Sequence, residues 1–355
     1  MKNEFQRFIG QLFIIELKST DGKYFTEYNE YIDELLKKYN VGGFIFFSGN
    51  IIDKKQLLNF IRELKKKSET PLFIAVDEEG APVSRLRKIF KKSYFSHKEL
   101  GEKNNPELTY QTAFEIGTQI KKIGFNIDFA PVMDIFNEKK NCVNKNSMLA
   151  NRTFGNDLRK NLIHTACFFK GLEAAGIISC PKHFPGCGDA VKDLHKGNSI
   201  SLKTFEDLSA NELKSYKTVI KLGCKLIMIG HNSFFEINEK IIYDGKEIVI
   251  PSSLSKNMIT GVLKKKMNYK NLIVTDSLRM NSIAQLINNE LIVELALSAG
   301  ADILLMPEKF EQYFEIIKNK IFSAENSKIN NTGIKENVCK SIKKILSLKK
   351  IIFSK

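Results

Sequence analysis

The 355-residue sequence is 43% hydrophobic and 27% charged, with 21 Gly, 8 Pro, 6 Cys and no Trp, which excludes a disordered, collagenous or disulfide-scaffold chain. Its formal net charge is +15, but only 7 of the 55 basic residues are Arg, the side chain that phosphate and base readout favours. The charge therefore reads as solvated helix faces, such as Lys65-Lys66-Lys67 and Lys264-Lys265-Lys266, and argues against nucleic acid as the partner.

Short apolar runs alternate with longer amphipathic stretches. The runs cover residues 8–15, 43–47, 72–76, 127–130, 177–180, 226–229, 272–275 and 303–306. Each is continuous and rich in Ile, Val or Phe, the pattern of parallel strands buried on both faces. Between them, 53–67, 108–123, 158–175 and 251–267 read as helices, the last opened by Pro251-Ser252-Ser253. Eight strand candidates alternating with helices predict an α/β fold, a TIM-like (β/α)8 barrel forming a single domain over 1–355. A doubly wound open sheet is the alternative, but neither GxGxxG nor GxxxxGK[ST] is present. Residues 308–355 read as helices packed outside the barrel, with Ile342, Ile345, Leu346, Leu348 and Ile351 near helical spacing. The cysteines form no CxxC pair, and no apolar run approaches the ~18 residues of a membrane span. With acids at Glu4 and Glu16 and no small-residue cleavage site, the N-terminus does not read as a secretory signal; a cytoplasmic protein with reduced thiols is expected.

Polar residues gather at the C-terminal ends of the predicted strands, where barrel enzymes assemble their sites. Asp77 follows 72–76, Asp128 lies in the fourth strand, Lys182 and His183 follow the fifth, His231 the sixth and Asp276 the seventh. The segment from Lys182 to His195 leaves its strand through a loop bent by Pro185 and carrying Gly186 and Gly188. It ends with Asp193 two residues before His195, a spacing that brings both side chains to one side of an extended segment. A carboxylate so placed orients the imidazole and raises its proton affinity, which suits a general acid/base; a surface loop with chance polar residues is the plainer reading. His183, Cys187 and His195 match no common zinc spacing, and Lys182 repels a cation there, so no metal is expected. Asp276, at the end of an apolar strand and followed by Ser277-Leu278, is the candidate second catalytic group, or else a helix N-cap. Asp77, Arg85 and Arg152 supply a carboxylate and two cations suited to sugar hydroxyls and carbonyls, or else structural ion pairs.

The segments IAVDEEGAPVSRL (74–86), NIDFAPVMD (126–134), NRTFG (151–155), KHFPGCGDAVKDLH (182–195) and LIVTDSLRM (272–280) resemble glycoside hydrolase family 3, and within it the bacterial β-N-acetylglucosaminidases of peptidoglycan recycling. The resemblance runs in order along nearly the whole chain, and its KHFPGxGD…DxH loop is specific to this branch. It implies a retaining exo-β-N-acetylglucosaminidase with Asp276 as nucleophile, His195 as acid/base and Asp193 supporting His195. Asp77, Arg85, Arg152, Lys182 and His183 would bind the N-acetylglucosamine unit. It implies a monomer acting on a small saccharide or muropeptide, with no metal or organic cofactor and no nucleic-acid or membrane partner. A phosphorylase or a non-catalytic saccharide-binding protein on the same scaffold are the alternatives. The chain departs from the family pattern at Glu16-Leu17-Lys18-Ser19 (usually a Gly-rich strand end), Ala81-Pro82, Cys187 (often His), Asn268 (often Gly) and Arg279 (usually small).

Overall fold

The computed structural model describes residues 5–135, 149, 151–187, 191–192, 199–322 and 332–353. Every apolar run contributes a parallel strand: β1 (Phe13–Glu16), β2 (Gly43–Phe46), β3 (Phe73–Val76), β4 (Ile127–Asp128), β5 (Ile178–Ser179), β6 (Leu226–Ile229), β7 (Leu272–Thr275) and β8 (Leu304–Leu305). Six of them form one sheet in the order β8-β1-β2-β3-β4-β5, and β6 pairs with β7. Single parallel bridges join the two parts, Phe184 to Ile229 on one side and Val274 to Ile303 on the other. The result is an α/β fold with a curled parallel sheet whose strands follow one another in chain order.

Helices α1 (Glu30–Lys37), α2 (Lys54–Lys67), α3 (Pro106–Ile123), α4 (Leu158–Ala174), α5 (Glu212–Lys221) and α6 (Asn289–Ala299) connect the strands, followed by α7 (Phe310–Phe322) and α8 (Thr332–Phe353). Several of their starts are capped by side chains that satisfy free N–H groups of the first turn: Asp53 accepts from Gln56, Asn105 from Leu108, and Asp157 from Arg159 and Lys160. No helix is long and apolar enough to cross a membrane among the described residues. The described cysteines, Cys167, Cys180, Cys187, Cys224 and Cys339, are free thiols.

Two local expectations need correction. The run 8–15 is not all strand, because Ile9–Leu12 is a 3-10 turn. Gln11 turns its amide to the Asn40 carbonyl at 2.7 Å, and an apolar run without periodicity cannot separate such a buried turn from a strand. The stretch 251–267 is a 3-10 turn over Ser252–Leu254 followed by a π-helix over Asn257–Lys266, closed by Met267 N–H on the Val262 carbonyl. Asn268 ends it at φ 55°, in the left-handed region that Asn shares with Gly, which explains how it replaces the family's glycine.

The C-terminal helix α8 is tied to the end of the sheet where the strands begin. Lys349 is buried there, its ammonium on Gln11 Oε1 and the Gly42 carbonyl, each at 2.6 Å, and over the Phe73 ring. Asp302 accepts from the Ile273 N–H at 2.9 Å, from the Ser341 hydroxyl at 2.7 Å and from Lys344. Asp302→Ala orphans the buried Ile273 amide and unpairs Lys344, so it should cost roughly 2–4 kcal/mol of unfolding free energy, read by chemical denaturation. Wild-type stability in that variant would mean that α8 is held by its other contacts, Lys349 and apolar packing, and not by Asp302.

Candidate active site

The polar residues at the opposite end of the sheet form a charged network. Lys182, past the end of β5, is only 2% exposed and places its ammonium 2.7 Å from Asp77 Oδ1 and 2.6 Å from Glu79 Oε1. Glu79 also accepts both arms of the Arg152 guanidinium, from Nε and Nη2 at 2.8 Å each. Arg85 reaches Asp77 Oδ2 at 3.5 Å. Burial alone would raise the Glu79 carboxyl, but Lys182 and Arg152 outweigh it and hold it far below the ordinary range. The Arg152 carbonyl accepts from Nδ1–H of His97 at 2.8 Å; burial pushes that imidazole down to about 4, so it is neutral.

Asp276 follows β7 directly, and its backbone N–H donates to the Ile229 carbonyl at 2.8 Å. Desolvation would raise its half-buried carboxyl; His183, His231, the Ser277 N–H and Lys182 reverse this and lower it, so the group is ionised at neutral pH. His231 donates from Nε2 to the Ser277 carbonyl at 2.8 Å and accepts at Nδ1 from the Ser253 hydroxyl at 2.7 Å. A carbonyl only accepts, so this pairing sets the tautomer. Burial lowers the pKa of His231 against the pull of Asp276, and its two hydrogen bonds clamp the turn after Asp276. His183 donates from Nδ1 to Asp134 Oδ2 at 2.8 Å, and Asp134 Oδ1 accepts the Cys187 N–H at 2.5 Å. Gly230 admits this arrangement, since a Cβ there would stand 2.9 Å from the Cβ of His183.

Of the residues singled out from the sequence, Asp77, Arg85, Lys182 and Arg152 are linked through one network, with His183 and Asp276 adjoining it. The second cation on Asp77 is Lys182, and Arg152 is spent on Glu79. Asp193 and His195 lie outside the described residues. Glu79 and Asp134 were missed. Glu79 sits two residues beyond Asp77, the spacing that returns a side chain to the same side of an extended segment, so a signal existed. Asp128 does not join the network: it is fully buried, and its Oδ1 accepts the Glu78 N–H at 2.9 Å. Asp134, His183 and Cys187 offer donor atoms within 4.8 Å of one another, the group among the described residues best spaced for a metal ion. Their hydrogen bonds to one another already occupy Asp134 and Nδ1 of His183.

A family model described as the glycosyl hydrolase family 3 N terminal domain matches residues 6–347. Beta-hexosaminidase A of Pseudoalteromonas piscicida is 28% identical over 339 residues, covering 90% of this chain and 54% of that protein. The beta-hexosaminidase of Vibrio cholerae serotype O1 (Classical Ogawa 395) is 28% identical over 290 residues, 81% of each chain. A solved glycoside hydrolase family 3 beta-N-acetylglucosaminidase from Paenibacillus sp. FPU-7 superposes with a TM-score of 0.84 at 25% identity, over 98% of this chain and 62% of that one. This chain thus spans about half the length of the Pseudoalteromonas relative and most of the Vibrio one.

Glu78 gives the site a pH signature. Burial pushes its carboxyl up to about 7 from 4.5, against hydrogen bonds from Ser84, Leu86 and Arg85. The folded protein keeps this proton where the unfolded chain has lost it, so the stabilising effect is whole below about pH 4.5 and is lost as pH rises through about 7. Glu78→Gln should therefore melt higher than wild type at pH 8, with the gain vanishing near pH 5. A gain independent of pH would mean that Glu78 is not protonated in the fold.

Proposed function

The chain belongs to glycosyl hydrolase family 3, and from that membership we propose that it is a retaining exo-β-N-acetylglucosaminidase on a single-domain (β/α)8 barrel, releasing terminal N-acetylglucosamine from a muropeptide or a related β-linked saccharide. The observation that carries this reading is Asp276, a half-buried carboxylate kept ionised beside the Lys182–Asp77–Glu79 network. A double displacement needs an ionised nucleophile under the sugar ring and a proton donor on the leaving oxygen.

Asp276 attacks the anomeric carbon while protonated His195 gives its proton to the departing oxygen, with Asp193 orienting the imidazole. Water then cleaves the glycosyl-enzyme, and neutral His195 takes its proton. Lys182 keeps one N–H beyond the two used by Asp77 and Glu79, and Asp77 keeps lone pairs for sugar hydroxyls. His183 retains Nε2 for the sugar because Nδ1 is committed to Asp134. The proposed setting is the cytoplasm, as a monomer.

Wild-type protein incubated with a fluorinated, activated N-acetylglucosaminide should gain the mass of one sugar at Asp276, and Asp276→Asn should gain none. Label elsewhere would reassign the nucleophile. His195→Ala should lose about 10²–10⁴-fold in turnover of an N-acetylglucosaminide whose leaving group needs a proton. Unchanged turnover would remove His195 from the mechanism. Sugar 1-phosphate as the product in phosphate buffer would replace hydrolysis by phosphorolysis.

A further inference from the structure

Two cations stand at the strand mouth outside the network around Asp77. Arg279 lies three residues past Asp276, in a turn pinned by His231 on the Ser277 carbonyl and by Leu278 N–H on the Leu305 carbonyl at 3.0 Å. From there its Nη1 pairs with Glu16, the last residue of β1. β8 lies between β7 and β1, so the guanidinium reaches across a gap of roughly 10 Å between the ends of those strands. The Glu16 side chain is 10% exposed and that of Arg279 is 40% exposed, so the carboxylate is covered while part of the guanidinium stays open. Among the described residues Glu16 is the ion-pair partner recorded for Arg279, and it engages one of the guanidinium nitrogens.

Lys18, two residues beyond Glu16, holds its ammonium 5.0 Å from the centre of the Tyr24 ring. Tyr24 lies 6.1 Å from Phe47, the residue after β2, and Phe47 carries the Arg85 guanidinium 5.3 Å over its own ring. Arg85 in turn pairs with Asp77. A continuous half-buried wall therefore runs from Asp77 outward through two aromatic rings to Lys18. Gly49 is part of it, because a Cβ there would meet the Tyr24 ring at 2.2 Å. Glu16, Lys18 and Arg279 are positions where the chain departs from its family's pattern, and the contact between Glu16 and Arg279 gives two of those departures a single cause.

We propose that this wall receives the leaving group and that Arg279, seconded by Lys18, reads a carboxylate on it. Aromatic rings offer a face for a sugar or aryl ring, and a guanidinium with free nitrogens takes a carboxylate through paired N–H donors. The inference rests on the hydrolase reading above, because only a cleaved glycoside has a leaving group.

The test uses two matched aryl N-acetyl-β-glucosaminides, one with a meta-carboxylate and one with the uncharged meta-carboxamide. Calorimetric binding and kcat/KM are measured on wild type, Arg279→Gln, Arg279→Lys and Lys18→Gln, each checked for folding by its melt. Wild type should bind the carboxylate about tenfold more tightly than the carboxamide, the weight of one charge-assisted hydrogen bond. Arg279→Gln should bring that ratio to about one, with Arg279→Lys and Lys18→Gln between. Equal binding of both compounds by wild type, or a preference that survives Arg279→Gln, overturns the proposal. Cleavage of both compounds with no preference leaves the hydrolase standing and this subsite refuted. A binding preference without cleavage of either refutes the hydrolase reading and with it the leaving-group role, leaving only a carboxylate-binding wall.

Discussion

The site depends on keeping one ammonium out of water. Lys182 is almost wholly buried, and an unpaired charge at such a depth costs several kcal/mol. It is tolerated because Asp77 and Glu79 both lie within hydrogen-bond distance. That requirement fixes the segment after β3 against the segment after β5. Glu79 then needs more positive charge than half a lysine, and Arg152 supplies it through two parallel hydrogen bonds. Arg152 is held in turn by its carbonyl on the neutral His97, whose ring packs 4.4 Å from Phe154 and 4.7 Å from Phe168. One buried cation thus organises three separate stretches of chain, and its partners reach into the small core under α4.

The same mouth sorts its carboxyls into two populations. Glu79 is buried and Asp276 half-buried, yet both are held ionised by neighbouring cations, imidazoles and amides. Glu78 and Asp128 are buried with too little positive charge nearby, and desolvation pushes both up. Glu78 Oε1 and Asp128 Oδ2 have no partner among the described residues, as expected of groups that carry protons and not charges. Glu78 and Glu79, neighbours in the chain, are therefore pushed in opposite directions because alternate positions meet different surroundings. Ionised carboxylates and carboxyls whose ionisation is held back thus stand side by side at one strand mouth.

Toward the rim the chemistry changes from buried networks to half-exposed cations and aromatic rings. Inside, each charge is matched by one of opposite sign; outside, Arg279 and Lys18 leave positive charge facing the opening. In the proposed reaction, fixed hydrogen bonds of the inner network would hold the sugar, and charge and shape at the rim would meet the leaving group. Among the departures from the family pattern, Glu16, Lys18 and Arg279 sit in the outer part, while Cys187 lies against the buried Asp134.

How much of this was legible in the sequence varied with the kind of signal. The strands were legible because residues buried on both faces of a parallel sheet must be continuously apolar, and their order followed from the alternation with helices. The mouth was legible because charged residues such as Asp77, Lys182 and Asp276 have no reason to end apolar strands unless something polar awaits them. The turn at Ile9–Leu12 and the π-helix at Asn257–Lys266 were not, since local hydrogen-bond choice there depends on Gln11 meeting Asn40 and on which carbonyl Met267 finds. Nor could sequence assign partners: Arg152 belongs to Glu79 and not to Asp77, and Glu16 to Arg279, pairs separated by 73 and 263 positions along the chain. Residue identity determined which charges had to be buried or met. Tertiary structure alone decided which opposite charge met each, because ion pairing depends on distances that folding creates between strand ends.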